Sequence, residues 1–172
     1  AVRGFASMLL RLIADEKPTH LAVVFDAAGR DKRAELYPAY KANRTETPPE
    51  LKPQFDLSRR MVRAMGITCL DANDCEADDI IATLAQHARR AGMPVVVVSS
   101  DKDLMQLVVD GQVELLDTMK EEGRGKRFGE KEVAEKFGVP PAQLGDVLSL
   151  MGDSSDNIPG VRGIGPKTAA QL

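Results

Sequence analysis

The sequence predicts an α/β fold, a parallel sheet flanked by helices, followed by a small helical extension. Short apolar runs at 20–25, 67–70, 94–98 and 113–116 alternate with helix-patterned stretches, as βαβ units do. One of them, PVVVV at 94–98, has the continuous apolar character of a strand covered on both faces. After about residue 128 the strand pattern stops, and only helical patterns separated by Gly/Pro turns remain. These observations divide the chain into a core at 1–128 and an extension at 129–172.

Taken in order, Val2, Phe5, Leu9, Leu12 and Ile13 recur at helical spacing. HLAVVF at 20–25 reads as a buried strand ending at Asp26. Residues 27–53 are polar and basic and contain Pro38, Pro48, Pro49 and Pro53, so they read as an exposed excursion. A helix is predicted over 53–64 with Gly66 as its stop, then a strand at 67–70. Ile80, Ile81, Leu84 and Ala88 share one face of a predicted helix at 76–91, which Gly92 ends. A short helix at 104–109 separates the strands at 94–98 and 113–116. The extension reads as helices at 130–137, 142–151 and 166–172. The chain opens at Ala1 inside an amphipathic pattern and stops at Leu172 inside a helical one, so both ends read as cut from something longer.

With 43% hydrophobic and 28% charged residues, 172 residues can bury a sizeable core. Two cysteines, Cys69 and Cys75, and two histidines, His20 and His87, exclude a disulfide framework and argue against zinc. The thiols fit a reducing cytoplasm, and no apolar run has the length of a membrane span. The net charge of −3 argues against nucleic acid only until its distribution is considered. Eight acids fall into four clusters: VFD (Asp26), CEADD (Glu76, Asp78, Asp79), SSDKDL (Asp101, Asp103) and GDSSDN (Asp153, Asp156). With these neutralised by bound cations, the remainder is mildly basic.

Each cluster alone has an ordinary explanation: a loop residue, a helix-dipole partner, an N-cap or a turn former. Three of them, however, adjoin strands whose carboxyl ends share one sheet edge, where open parallel sheets bind ligands. Carboxylates gathered there repel one another unless divalent cations join them. A ligand set of oxygens alone suits Mg²⁺ or Mn²⁺, and its size suggests two ions. Two ions can activate a water and stabilise the leaving oxygen of an in-line phosphoryl displacement.

The excursion carries Arg30, Lys32, Arg33, Lys41 and Arg44, with Tyr37 and Tyr40 interleaved. Such a segment is a solvated loop or a nucleic-acid contact, with tyrosines to stack on bases and cations to hold phosphates. Its place directly after Asp26 favours the second. IPGVRGIGPK at 158–167 sets Gly163 and Gly165 before Pro166, a favoured first helical position, with Lys167 alongside. A plain helix–turn–helix connection is the alternative. Free amides at a helix start, approached through glycine, suit a DNA-backbone clamp.

VFDAAG, ELYPAYKANR, CEADDIIATLA, VVSSDKDLMQLV and GDSSDNIPGVRGIGPKTAAQL, in this order, resemble the 5′–3′ exonuclease domain of bacterial DNA polymerase I. That domain belongs to the flap-endonuclease group of PIN-like nucleases. The resemblance implies a PIN-like core (1–128, arch about 27–53) and a helix–three-turn–helix DNA-binding extension truncated at its C-terminus. It implies two divalent ions, Mg²⁺ or Mn²⁺, held by acids at Asp26, Glu76, Asp78, Asp79, Asp101, Asp103, Asp153 and Asp156. It places Lys41 and Arg44 in a helical arch as catalytic cations. Arg33, Tyr40, Gly163, Gly165 and Lys167 are expected to contact DNA, with K⁺ at the glycine hairpin. A monomeric nuclease fused to a polymerase, acting on DNA with a 5′ end or 5′ flap in replication and repair, is the expected whole.

Three departures qualify the resemblance. The family's first strand, which ends in a further metal-binding Asp, has no counterpart here. The chain by itself is therefore expected to be poorly soluble or partly open, and inactive. A family Phe-Arg-His-Glu stretch reads Lys32-Arg33-Ala34-Glu35, and Ser100 stands where Gly is frequent. Three rivals are weaker. A PIN-type ribonuclease has no use for a duplex clamp, and a non-catalytic DNA-binding module has no use for four acidic clusters. A haloacid-type phosphotransferase needs Asp-x-Asp, and Asp26 is followed by Ala27 and Ala28.

Overall fold

A computed structural model describes residues 1–27, 32–120 and 125–172. Arg30, one of the basic residues of the excursion, lies outside the described residues, as does the Ala28-Gly29 end of VFDAAG. The chain divides into two compact units, Ala1–Lys32 with Arg44–Ala77, and Arg33–Asn43 with Asp78–Leu172.

In the first unit, α1 (Val2–Glu16) packs on α3 (Lys52–Ala64). The expected spacing puts Leu9 into the contact, where it is buried with Val62. The start of α1 is tied to α3 by Gln54, whose side-chain oxygen accepts from the Val2 amide at 3.3 Å. Lys17 ends α1 in the left-handed conformation, its amide closing on Ile13 O, and Pro18 follows. Two parallel strands, β1 (Ala22–Val24) and β2 (Thr68–Leu70), complete the unit. Phe25, just past β1, meets Phe5 edge-on at 6.1 Å, and the Arg59 guanidinium lies 5.0 Å from the Phe25 ring centre.

The second unit has the larger core. β3 (Val95–Val98) pairs in parallel with β4 (Val113–Asp117), and β5 (Lys126–Phe128) adds an antiparallel edge that the sequence reading did not contain. The helix α4 (Ala77–Arg90) buries Ala85 in this core. It carries Asp78 and Asp79 in its first turn and basic residues in its last, both favourable to the helix dipole. The helix expected at 104–109 is a 3₁₀ turn, Asp103–Leu107, which buries Leu104 and Met105 against Val97 and Leu115. Val133 of α5 (Glu130–Phe137) and Leu144 of α6 (Leu144–Met151) enter the same cluster. A smaller cluster joins Val139, Val147 and Ala169, the last from α7 (Pro166–Ala169).

Two expectations need correction. Strands do not stop at residue 128, because β6 (Gly152–Asp153) and β7 (Ile158–Pro159) form a minimal antiparallel hairpin. It exists because of two glycines. A Cβ on Gly152 would lie 2.2 Å from Gly160 N, and one on Gly160 would lie 2.2 Å from Met151 C. Nor is the 27–53 stretch a single excursion. After the short α2 (Lys32–Leu36), the turns at 38–43 belong to the second unit, and the chain from Arg44 belongs to the first.

Candidate metal and nucleic-acid site

Two of the eight acids lie in the first unit. Asp26 is exposed directly after β1 and Phe25, and its Oδ1 accepts from the Ala77 amide at 2.8 Å. Its carbonyl accepts from Arg59, so its backbone is held while its carboxylate caps the start of α4. Glu76 is half-buried one residue before that helix. Arg44, read as a catalytic cation, is in this unit too, exposed in a bend rather than on an arch helix.

The other six acids are in the second unit. Asp78 and Asp79 open α4, and Arg33 grips Asp79 with both guanidinium nitrogens, at 2.8 and 2.9 Å. Such a two-point pair is geometrically selective. Asp101 and Asp103 follow β3, where Asp101 Oδ1 accepts from the Asp103 amide at 2.9 Å and so shapes the turn into the 3₁₀ segment. Asp153 Oδ1 likewise accepts from the Ser155 amide at 2.8 Å. The ordinary turn-forming role is therefore real for both, and it uses only one oxygen of each.

Lys102 connects these two turns. Its ammonium donates to Asp153 Oδ2 and lies 3.3 Å from Asp103 Oδ1. Burial works against the Lys102 charge, but the Asp153 hydrogen bond and the flanking carboxylates outweigh it and hold its pKa above the ordinary value. Burial alone would raise Asp153, yet the Lys102 and Ser155 hydrogen bonds bring it below the usual carboxylate range. Asp103 goes the other way. Burial, helped by repulsion from Asp101, raises it despite Lys102. Its Oδ1 is buried, and the contact with Lys102 lacks hydrogen-bond geometry.

Asp156 faces the Arg33–Asn43 segment. Tyr40 donates its hydroxyl to Asp156 Oδ2 at 3.1 Å, and the Lys41 amide donates to Asp156 O at 2.9 Å. Three further hydrogen bonds seat the segment on the 154–157 turn: Tyr37 to Asn157 O, Asn43 to Ser154 O and Asn157 to Ala39 O. Lys41, expected on a helix, adopts a left-handed turn conformation with φ 55°, and its ammonium lies 4.8 Å from the Tyr40 ring centre. At the glycine hairpin, Gly163 needs its freedom, with φ 83°. Gly165 does not, being extended as the N-cap of α7, and both have open space where a Cβ would point. Lys167 is exposed in the first turn of α7.

The donor set suits a hard divalent cation, with carboxylate oxygens and one buried oxygen lacking a hydrogen bond. Among the described residues, no three potential ligands stand together as an ion would require. Arg33, Lys102 and Tyr40 occupy the carboxylates instead. The sequence reading placed Arg33 and Tyr40 on DNA, offered Tyr37 for base stacking, and passed over Lys102, Asn43, Asn157 and Gly152. A lysine set between two aspartates was the available signal for Lys102. Partners more than a hundred positions apart left none for Asn43 and Asn157.

Residues 1–138 match the 5′-3′ exonuclease N-terminal resolvase-like domain, and residues 139–172 match the 5′-3′ exonuclease C-terminal SAM fold. The chain is 50% identical, over its whole length, to a DNA polymerase I of Rhizobium leguminosarum, of which it covers 17%. It is 46% identical, over 99% of its length, to DNA polymerase I of Mycobacterium tuberculosis, of which it covers 19%. The chain thus spans about a fifth or less of these relatives. Its fold is that of the T5 D15 protein co-crystallised with metal ions, with a TM-score of 0.83 at 24% identity over 99% of this chain and 66% of that one. The catalytic core of Rad2 in complex with DNA substrate is more distant, with a TM-score of 0.61 at 18% identity over 99% of this chain and 51% of that one. Matched by both domains in their order along its full length, the chain belongs to the 5′–3′ exonuclease family.

Proposed function

We propose that this chain is the 5′-nuclease part of a longer DNA polymerase, and that it hydrolyses DNA phosphodiesters at 5′ ends and 5′ flaps during replication and repair. The observation that carries this reading is the placement of Tyr40 and Lys41 directly on the turn that bears Asp156. A base-stacking ring and a phosphate-binding cation thereby adjoin a metal-ligand candidate.

In this reading, Asp78, Asp79, Asp101, Asp103, Asp153 and Asp156 hold the ions, and the family motifs add Asp26 and Glu76. A pair of Mg²⁺ or Mn²⁺ ions supplies water activation and charge neutralisation at the leaving oxygen. Lys41 and Arg44 hold the scissile phosphate and offset its growing charge. Arg33 and Tyr40 guide the strand, with the tyrosine ring stacking on an unpaired base. The amides about Gly163 and Gly165, with Lys167 and a K⁺ ion, grip the duplex backbone without reading sequence. The core is 1–128 and the clamp 129–172. The protein acts as a monomer in the cytoplasm, and no helix among the described residues is long and apolar enough to cross a membrane.

The test is cleavage of a labelled 5′-flap DNA by the whole protein, with Mg²⁺ and with chelator. Cutting that chelator abolishes, and that Asp156→Asn strongly reduces, is expected. Preference for single-stranded RNA would select the ribonuclease reading instead. Duplex binding without cutting would select the non-catalytic one.

A further inference from the structure

We infer that Asn157 is a positioning residue for the nuclease reaction, one that fixes the Arg33–Asn43 segment against the turn bearing Asp156 and so sets where Lys41 stands. The inference rests on the reading of Lys41 as the cation that meets the scissile phosphate. Asn157 meets the segment with both its side chain and its backbone. Its Nδ2 donates to Ala39 O at 2.7 Å, and its carbonyl accepts from the Tyr37 hydroxyl at 3.2 Å. The residue before it, Asp156, accepts the Lys41 amide on its carbonyl at 2.9 Å. Asn43 donates to Ser154 O at 2.8 Å on the far side. Lys41 and the chain on both sides of it are therefore seated on residues 154–157. The Lys41 ammonium then lies 4.8 Å from the ring centre of Tyr40, whose hydroxyl is bound to Asp156.

Position 157 makes two demands, and asparagine meets both. Its backbone is left-handed, with φ 58°, a conformation that glycine and asparagine adopt most readily. The bond to Ala39 O needs a donor on a short side chain. Glycine has none, and aspartate, of the same shape, has none when ionised. At 2.7 Å this bond is shorter than those made to the turn by Tyr37, Tyr40, Lys41 and Asn43. It is also half-buried, so water competes less for it than for the exposed bonds of Tyr37 and Asn43. A lysine side chain is long and flexible, and it aids a transition state fully only when its backbone is already placed. A segment fixed by the fold loses its freedom once, on folding, and not at each encounter with DNA. Asn157 thus acts through Lys41 and not on the substrate.

The test is single-turnover cleavage of a labelled 5′-flap DNA by the whole protein with Mg²⁺, in a cycle with Lys41→Ala. Asn157→Gly keeps the left-handed backbone and removes the donor. Asn157→Asp keeps the side-chain shape and removes the donor. Each is expected to lower the maximal rate about tenfold and to leave the half-saturating DNA concentration within about threefold of wild type. Asn157→Gly placed on Lys41→Ala is expected to slow cleavage no further, because the lysine through which it acts is gone. A merely structural asparagine would slow both backgrounds by the same factor, and so would a variant that misfolds. Equal slowing in both backgrounds, or a wild-type rate for either Asn157 variant, overturns the positioning role and leaves the nuclease reading standing. If the wild-type protein does not cut the flap, or Lys41→Ala cuts it as fast as wild type, the underlying reading fails and takes the inference with it.

Discussion

The ammonium of Lys102 donates to the carboxylate of Asp153, joining the turn after β3 to the β6–β7 hairpin. Each partner shifts the other as an ion pair should, Lys102 upward and Asp153 downward. Asp153 has a lowered folded-state pKa, so its stabilisation is complete above the ordinary carboxylate value and is lost as pH falls through the lowered one. Lys102 has a raised one, so its share is complete below the ordinary lysine value and is lost as pH rises through the raised one. Asp103, raised by burial, opposes folding when ionised and is relieved in acid. Lys102→Met should therefore cost about 1 kcal/mol or less at neutral pH for this partly exposed pair. The difference from wild type should shrink in acid, as pH falls through the lowered Asp153 pKa. Denaturant melts at neutral and acid pH check this, and an equal gap at both would assign the loss to packing.

The hairpin glycines separate folding from binding. Gly152→Ala would place a methyl 2.2 Å from Gly160 N and 2.6 Å from Ile158 O, at a backbone φ of 76°. We expect a loss of about 3 kcal/mol or more, read from thermal or denaturant unfolding. Gly165→Ala meets nothing within 4 Å and keeps an ordinary extended backbone, so stability should be unchanged. If the amides there approach phosphate, duplex affinity of the whole protein should fall, and wild-type affinity should fall steeply with salt. Unaltered duplex binding would make the hairpin a mere connector.

Lys41→Ala should slow single-turnover cleavage of a 5′ flap by the whole protein about a hundredfold or more. DNA affinity should change far less, because a cation at the scissile phosphate matters most where charge develops. Equal losses in affinity and turnover would make Lys41 an ordinary backbone contact.

Mn²⁺ soaked into crystals should appear in anomalous maps bound by oxygens alone, with Asp79, Asp101, Asp103 and Asp156 among the ligands. Ions confined to scattered single carboxylates would refute the shared site.

Most elements were legible in the sequence because their signals are local. The spacing of Val2, Phe5 and Leu9, the VVVV run of β3 and the Gly92 stop each act within a few residues. The family was legible too, since its motifs are contiguous strings such as CEADD and GDSSDN. What remained hidden is pairing at a distance. Residues 126–128 became a strand only because Leu115 and Leu116 of β4 offered an open edge. Residues 152–153 and 158–159 paired only because two glycines let their backbones meet. The basic segment read as an exposed nucleic-acid contact, yet Tyr37, Tyr40 and Asn43 find hydrogen-bond partners within the protein more than a hundred positions away. The residue types of the acidic and basic groups were set by the sequence. Which cation meets which carboxylate was decided by tertiary structure, because charge attraction is nonspecific until a fold brings Arg33 to Asp79 and Lys102 to Asp153.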